Sequence, residues 1–488
     1  VDDTATSYDL KAGLAELDSE QPDLLEAWSM YEGSAPEVFS SARVARFLRS
    51  TSRKFRINWC RTTVTAVLNR LSIAAVQAVS STEDEEDPLA LPTEDTPAQV
   101  ALDRFWYANR LGLLAVNIHE AALGYGETYA IVWPDTTVEN GEPLLHHNPP
   151  TQVRIVYDVE NPRLKRYAIK RWRLSDKRLR ANLYYPDRIE RYVTAQPATE
   201  ESGALTWRPY FDEDAGETED QWEVDNPYGV VPVFHFRPQW PVARPEHLEA
   251  YGAQNGLNKL LNSFYGTVDF QVFPQRYALQ DTGAPSAASM ADEDFADDED
   301  TDQGRAAERD QPHAGPGTVW WLEKAKAVGT FPAADPKTFW EPIQQLVQNL
   351  AVVTDTPLHL YQFGGAPPSG ESRRAASEPL YAKVTNRQDA LGATWEELFE
   401  FALKVAGVAG KVQVDWAPID RAEDKDALEA AKAKRELGVP DEVVLMELGY
   451  TDREMASWAP QPTPAPSDTI DVGPEPLPVS DSPGGSTT

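Results

Sequence analysis

The chain is 488 residues long and carries 45 Lys and Arg against 78 Asp and Glu, a formal net charge of −33. That balance excludes a broad nucleic-acid-gripping face, whose affinity comes from neutralised phosphates; no apolar run of ~18 residues is present to form a membrane helix. The single cysteine, Cys60, excludes an intramolecular disulfide framework and fits a reducing compartment, while 41% hydrophobic residues supply sizeable cores for three or four domains of ~100–200 residues each.

Apolar residues Ile57, Val64, Leu68 and Leu71 recur at helical spacing and predict a helix through 55–77. Residues 83–95 follow with seven carboxylates and no basic residue; such a like-charge block repels itself and is expected to be a disordered loop. Leu102, Phe105, Trp106, Leu113, Val116 and Leu123 predict a second helix over 98–123, ending at Gly124, since glycine adopts φ > 0 without strain. A strand is expected at 129–133. From there to 237 the pattern is short β segments separated by Pro, Asn and Asp, at 153–157, 167–172, 182–185, 188–193 and 230–236.

Helix returns after Pro245, a residue suited to a first helical turn. Leu248, Tyr251, Leu257, Leu260, Leu261, Phe264 and Val268 form an apolar stripe. Strands are expected at 276–280 and 318–323, flanking an insert in which 281–310 holds eleven carboxylates and two arginines. A helix over 336–353 buries Phe339, Ile343, Leu346, Leu350 and Val353. After a Gly/Pro-rich loop a long helix spans 369–407, with Pro379 requiring a kink or a late start. A small helical module at 422–457 precedes a tail with eight prolines and no Lys or Arg in residues 459–488, which reads as disordered. The fold class is α+β with several modules.

No chemistry-bearing motif stands out. G-x-x-x-x-G-K-[ST] and G-x-S-x-G do not occur, and the seven histidines show no metal-ligand spacing. No catalytic, cofactor or metal site is expected, and the chain reads as a structural subunit rather than an enzyme. His146-His147 is expected in a solvated loop, and His119 as a satisfied buried imidazole. Cys60 falls within an apolar helical pattern rather than at an activating helix N-terminus. The loop Phe363-Gly-Gly-Ala-Pro-Pro-Ser-Gly-Glu-Ser372 is the most distinctive local segment. It lacks a phosphate-cradling lysine, and a loop–helix junction with Ser369 as N-cap and Glu371 in the first turn accounts for it. The opening Val1-Asp2-Asp3-Thr4 lacks the basic-then-apolar pattern of a signal peptide, so synthesis in a cytoplasm is expected.

Several segments in order resemble the tailed-bacteriophage portal protein family, in its SPP1-like branch that includes actinophages. They are Asn226-Pro-Tyr-Gly-Val-Val-Pro-Val-Phe-His-Phe-Arg237, Asp355-Thr-Pro-Leu-His359 and Ser369-Gly-Glu371 ahead of a long helix. Lys383, Arg387-Gln388, Trp395-Glu-Glu-Leu398, Gly438-Val-Pro440 and Leu448-Gly-Tyr450 continue the match. The resemblance implies a homo-oligomeric ring, twelve subunits in the particle, at one capsid vertex of the virion, assembled in the host bacterial cytoplasm. Each subunit has a wing, a stem, a clip and a crown around a channel through which double-stranded DNA is packaged and ejected. The implied partners are the ring's own copies, DNA as cargo, terminase large subunit, a head–tail adaptor, and the major capsid and scaffold proteins, with no membrane and no cofactor.

Carried onto this sequence, residues 1–243 are N-terminal helices and a β-rich wing, 244–272 and 336–354 the stem helices, and 273–335 the clip with an acidic insert at 281–316. Residues 355–370 become the tunnel loop, 371–410 the long wing helix, 411–457 the crown and 458–488 the tail. The tunnel loop brings Phe363, Gly364, Gly365, Pro367, Pro368, Ser369 and Gly370; its glycines permit movement and its prolines limit it. Arg373, Arg374, Lys383 and Arg387 are candidates for the few basic DNA contacts, with inter-subunit ion pairs as the alternative. Lys324 and Lys326 are candidate clip contacts to terminase or adaptor. Another capsid-associated structural protein, such as an adaptor or a minor head protein, is the second reading.

Overall fold

The computed structural model describes residues 8–35, 56–79, 96–135, 141–198, 205–212, 216–272, 276–280, 325–330, 337–361, 369–419 and 424–448. Two compact units are present, one reaching Arg421 and the other beginning at Ala422. The acidic stretches at 83–95 and 281–310, the strand expected at 318–323 and the proline-rich tail lie outside the described residues.

The first unit opens with α1 (Tyr8–Glu32), a helix the sequence pattern did not announce. It buries Leu10, Leu17, Leu24 and Tyr31, a strict seven-residue repeat that puts one stripe against the rest of the unit. Helix α2 (Trp59–Leu68) starts at Asn58, whose side chain accepts from Arg61 N. The helix expected through residue 77 stops at Asn69. Residues Ile73–Val79 instead form strand β1, because they are apolar on both faces apart from Gln77 and find a partner strand near residue 414. Cys60 is therefore the second residue of a helix, contrary to expectation. Its thiol is fully buried all the same, and burial pushes its pKa up to about 12, so it is no reactive nucleophile.

The helix expected over 98–123 is two helices, α3 (Pro97–Ala108) and α4 (Leu111–Tyr125). Asn109 makes the break. Its Nδ2 donates to Phe105 O and Pro143 O, its Oδ1 accepts from Leu145 N, and Arg110 next to it sits at φ 50°. The cap is Gly126 at φ 95°, not Gly124, which is buried in the last turn against Trp28.

Strands β2 (Thr128–Pro134) and β3 (Pro143–Asn148) then form a sheet with the later β10 (Val233–Phe236), in the order β10–β2–β3. The pair His146-His147 thus lies in a strand rather than a solvated loop, with His147 Nε2 and Thr128 Oγ1 2.9 Å apart. An antiparallel meander follows: β4 (Val153–Tyr157), β5 (Lys165–Arg173), β6 (Leu179–Tyr184), β7 (Arg188–Thr194) and β8 (Trp207–Pro209), with β9 (Glu223–Asp225) also on β7. Helix α1 covers one face of it through Leu10, Tyr167, Ile169 and Leu183.

Next come α5 (Tyr251–Val272), the antiparallel pair β11 (Arg276–Gln280) and β12 (Ala325–Thr330), and α6 (Lys337–Val353). The long α7 (Gly370–Val405) runs unbroken through Pro379. Pro379 and Ala375, whose carbonyl loses its partner, are both exposed, so no kink or late start is needed. Strand β13 (Lys411–Trp416) pairs antiparallel with β1, which places the start of the expected crown segment within the first unit. The main core gathers around α7: Trp395, Leu398 and Phe399 meet Phe105, Ile118 and Phe236. At its centre His119 is satisfied as expected. Its Nδ1–H donates to Leu71 O and its Nε2 accepts from Trp395 Nε1 at 2.9 Å.

The second unit contributes α8 (Asp424–Glu436) and α9 (Asp441–Glu447), joined across Gly438 at φ 87°. Arg435 pairs with Asp441 over that turn.

Candidate functional site: a helical strut and its buried root

Helices α5 and α6 pack side by side and carry the β11–β12 hairpin between them. Leu257 and Leu261 of one helix meet Ile343, Val347 and Leu350 of the other, and Trp59, Cys60 and Tyr361 close the same cluster. Gly256 permits the approach, since a Cβ there would come 3.3 Å from Leu346 Cδ1. In a chain this acidic the strut is sparse in charge: Lys259 and Asp269 on α5, Lys337 and Glu341 on α6. The outer side of α6 offers Trp340, Gln344, Gln348 and Val352, one residue per turn and all exposed.

The strut is rooted on an ion cluster. Glu246, just ahead of α5, has a side chain only 2% exposed. Its Oε1 lies 3.1 Å from Lys383 Nζ and its Oε2 2.9 Å from Arg387 Nε. Lys383 Nζ also donates to Thr354 O at the end of α6. One buried carboxylate therefore ties the start of α5, the end of α6 and the long helix together. The charges are paired and hydrogen-bonded, as burial requires. Beside it lies a cleft of about 130 Å³, lined in part by Arg244, Glu249, Asp355 and the cluster itself. Below, the Tyr361 hydroxyl sits 2.8 Å from Thr63 Oγ1 and 3.2 Å from Thr354 Oγ1, fixing the chain as it leaves α6.

Lys383 and Arg387, singled out from sequence as basic candidates, are thus brought together by Glu246 within one chain. Ser369 is the N-cap of α7, accepting from Ser372 N, and Gly370 is the first helical residue with Glu371 in the first turn. Arg373 is exposed and Arg374 half-buried on the following turn. Lys326 lies in β12. Phe363, Gly364, Gly365, Pro367, Pro368 and Lys324 lie outside the described residues. Glu246 was missed; the available signal was the i,i+4 spacing of Lys383 and Arg387, which puts two cations on one helix face and calls for a shared carboxylate.

A second buried cluster joins α1, β2, β4 and β10. Arg154 Nη1 donates to Glu127 Oε1 at 2.6 Å, His235 Nε2–H to Glu127 Oε2 at 2.8 Å, and the Tyr157 hydroxyl to His235 Nδ1 at 2.9 Å. Burial pushes the His235 imidazole down to about 4, so it stays neutral beside the carboxylate. Burial alone would raise the Glu127 pKa, and the His235 hydrogen bond, with the charges around it, outweighs that and lowers it. The tyrosine–histidine–carboxylate chain is a cross-brace between elements. No group of three or more His, Cys, Asp or Glu residues with metal-holding geometry occurs among the described residues, and none of their helices is long and apolar enough to cross a membrane.

The family model described as "Phage portal protein, SPP1 Gp6-like" matches residues 14–461. The chain belongs to this portal protein family. The family is structural rather than enzymatic, in keeping with a site made of packing and ion pairs. Among solved structures, this portal-family chain is similar to one in the virion of a native gene transfer agent particle, at 11% identity and TM-score 0.40, covering 87% of this chain and 99% of that one. Another is in the neck of an empty gene transfer agent particle, at 12% identity and TM-score 0.39, covering 83% and 96%. No curated protein matches the chain.

Proposed function

We propose that this chain is the portal subunit of a tailed phage: a ring-forming virion protein at the capsid vertex, through whose channel double-stranded DNA enters and leaves. The family match over residues 14–461 carries this reading. In it, α5 and α6 are the stem, β11, β12 and the acidic insert at 281–316 the clip, residues 355–370 the tunnel loop, α7 the wing helix, and α8 and α9 part of the crown. Twelve copies surround the channel. Terminase and a head–tail adaptor meet the clip, where Lys324 and Lys326 are offered, and capsid and scaffold proteins meet the outside. Phe363, Gly364, Gly365, Pro367, Pro368, Ser369 and Gly370 supply the loop that shifts as DNA advances.

A conduit must confine DNA without gripping it. Phosphate contacts from many subunits would add, and translocation would stall. In this reading, pairing Lys383 and Arg387 with Glu246 keeps two strong phosphate ligands per subunit engaged within the chain. Arg373 and Arg374, at the start of α7, are the other two basic candidates beside the tunnel loop. Negative-stain microscopy of the purified full chain, with in vivo packaging of a phage lacking its own copy, tests the reading. Rings with a central hole of duplex width and restored packaging are expected. A monomer at all concentrations that leaves the defect uncorrected would overturn it.

A further inference from the structure

Residues 163–180 carry nine Lys and Arg and one acid, Asp176, in a chain of net charge −33. They make up β5, the turn after it and the start of β6. The cations divide between the two sides of the sheet. On the side covered by α1, carboxylates meet them: Arg171 Nη2 lies 2.6 Å from Asp18 Oδ1, and Arg154 of β4 is held by Glu16 and Glu20.

On the other side they meet aromatic rings. Lys170 Nζ is 5.3 Å from the Trp172 ring centroid. The Arg180 guanidinium lies 5.0 Å from Trp172 and 3.7 Å from Tyr210. Arg191, in the same row, is taken by Glu217 in a bidentate pair, and Asp212 lies at that edge. No carboxylate pairs with Lys170 or Arg180 among the described residues. Arg208, aligned with Arg180 through Val193 on the same side of the sheet, and Lys177 in the turn before β6 are exposed.

Two classes of partner fit cations beside aromatic rings. Tracking a phosphate backbone calls for extended, hydrated lysines and arginines. Here the key side chains sit over the rings and are half-buried, and burial lowers the pKa of both Lys170 and Arg180. Arg, Trp and Tyr packed on a pleated sheet are instead the composition of a protein interface. Copies at −33 repel one another unless a cationic face of one meets carboxylates of the next, which is how a head-to-tail ring contact is built.

We propose that this face of the β5–β6 hairpin, around Lys170, Trp172, Arg180 and Tyr210, docks a carboxylate-rich surface of a second copy of the chain. The inference rests on the ring reading above. It adds which surface of the sheet takes the neighbour and what chemistry the neighbour presents.

The test uses full-length protein. Assembly is followed by sedimentation from 50 to 500 mM salt, for wild type, Lys170→Glu with Arg180→Glu, and Lys177→Glu with Arg208→Glu. The last pair is exposed and makes no core contact, so it reports on the face even if the first pair disturbs folding. At least a tenfold rise in the concentration for half-assembly is expected for both variants, with the wild type losing assembly as salt rises. Carbodiimide coupling of mixed ¹⁴N and ¹⁵N protein should join Lys170 or Lys177 to Asp or Glu of the other isotope. Wild-type rings with unaffected variants, or couplings confined to one isotope, would overturn this contact while leaving the portal reading intact. Variants that assemble normally but lose retention of a duplex oligonucleotide would assign the face to DNA and also overturn it. Wild type that never forms rings defeats the portal reading first.

Discussion

Arg387 Nε donates to Glu246 Oε2 at 2.9 Å across 141 residues of sequence, and Lys383, one turn earlier on the same helix, holds the other oxygen. Among the described residues Glu246 is the carboxylate that both cations share. Removing one member of a buried pair leaves its partners charged and unmatched, at a cost of about 3–5 kcal/mol. Glu246→Ala is therefore expected to lower the free energy of unfolding of the first unit by that order, read by urea titration of tryptophan fluorescence. Glu246→Gln keeps the shape and one accepting oxygen, although its amide NH2 then faces a donor, and should cost less than Ala. Equal, negligible effects from both would show that the cluster contributes nothing to stability.

The buried imidazoles set the acid limit of the fold. Burial pushes His119, His235 and His247 each down to about 4, against ~6.5 when exposed. Above ~6.5 neither state takes the proton and the stability is fully present. As the pH falls toward 4 the unfolded chain binds protons that the folded one cannot, so stability drops with a slope of up to about one proton per histidine. Unfolding midpoints in urea between pH 7 and 4.5 should decline accordingly. His119→Gln is expected to remove about one proton from that slope, while also losing stability at pH 7 because Trp395 Nε1 and Leu71 O lose their shared partner.

Much of this was legible in the sequence, and the misses have local causes. The strut and the long helix follow from periodicity, since each buries one stripe, and the strand at 276–280 follows from its run of strand-forming residues. Strand β1 did not, because only its pairing with the distant β13 converts an apolar run into an edge. The break at Asn109 depends on two carbonyls and an amide supplied by other elements, so it leaves no mark in helical spacing. Lys383 and Arg387 could be picked out from sequence, but Glu246 is one of 78 acids and only the fold selects it. The basic β5–β6 hairpin went unread because the acidic clumps dominated the charge pattern.

Gly126 and Gly407 make a matched pair for separating backbone strain from crowding. Both have positive φ, 95° and 76°. A Cβ at Gly407 meets open space, whereas one at Gly126 would lie 2.5 Å from the carbonyl carbon of Arg244 and 2.6 Å from Pro245 N. Gly407→Ala should then cost only the left-handed penalty, about 1–2 kcal/mol. Gly126→Ala must in addition push away the segment leading to Glu246, so a clearly larger loss is expected, together with weaker amide protection in hydrogen exchange at the start of α5. Similar costs at the two sites would mean that the 244–246 backbone gives way freely.

The outer stripe of α6 tests whether the strut needs a neighbour. Trp340 is 60% exposed and Val352 75% exposed, yet Ile343, Val347 and Leu350 on the inner side already complete the contact with α5. An apolar residue left in water gains nothing for the folded monomer, so charging it should change monomer stability by about 0.5 kcal/mol or less. If copies pack side by side through this stripe, two carboxylates introduced there would be desolvated at every contact, at a cost of several kcal/mol per buried unpaired charge. Trp340→Glu with Val352→Glu is therefore expected to leave the thermal midpoint of the monomer nearly unchanged while abolishing ring assembly and DNA packaging. Gln344→Ala, on the same stripe, should be tolerated in both assays. Intact rings from the doubly charged variant would place the neighbouring copy on some other face.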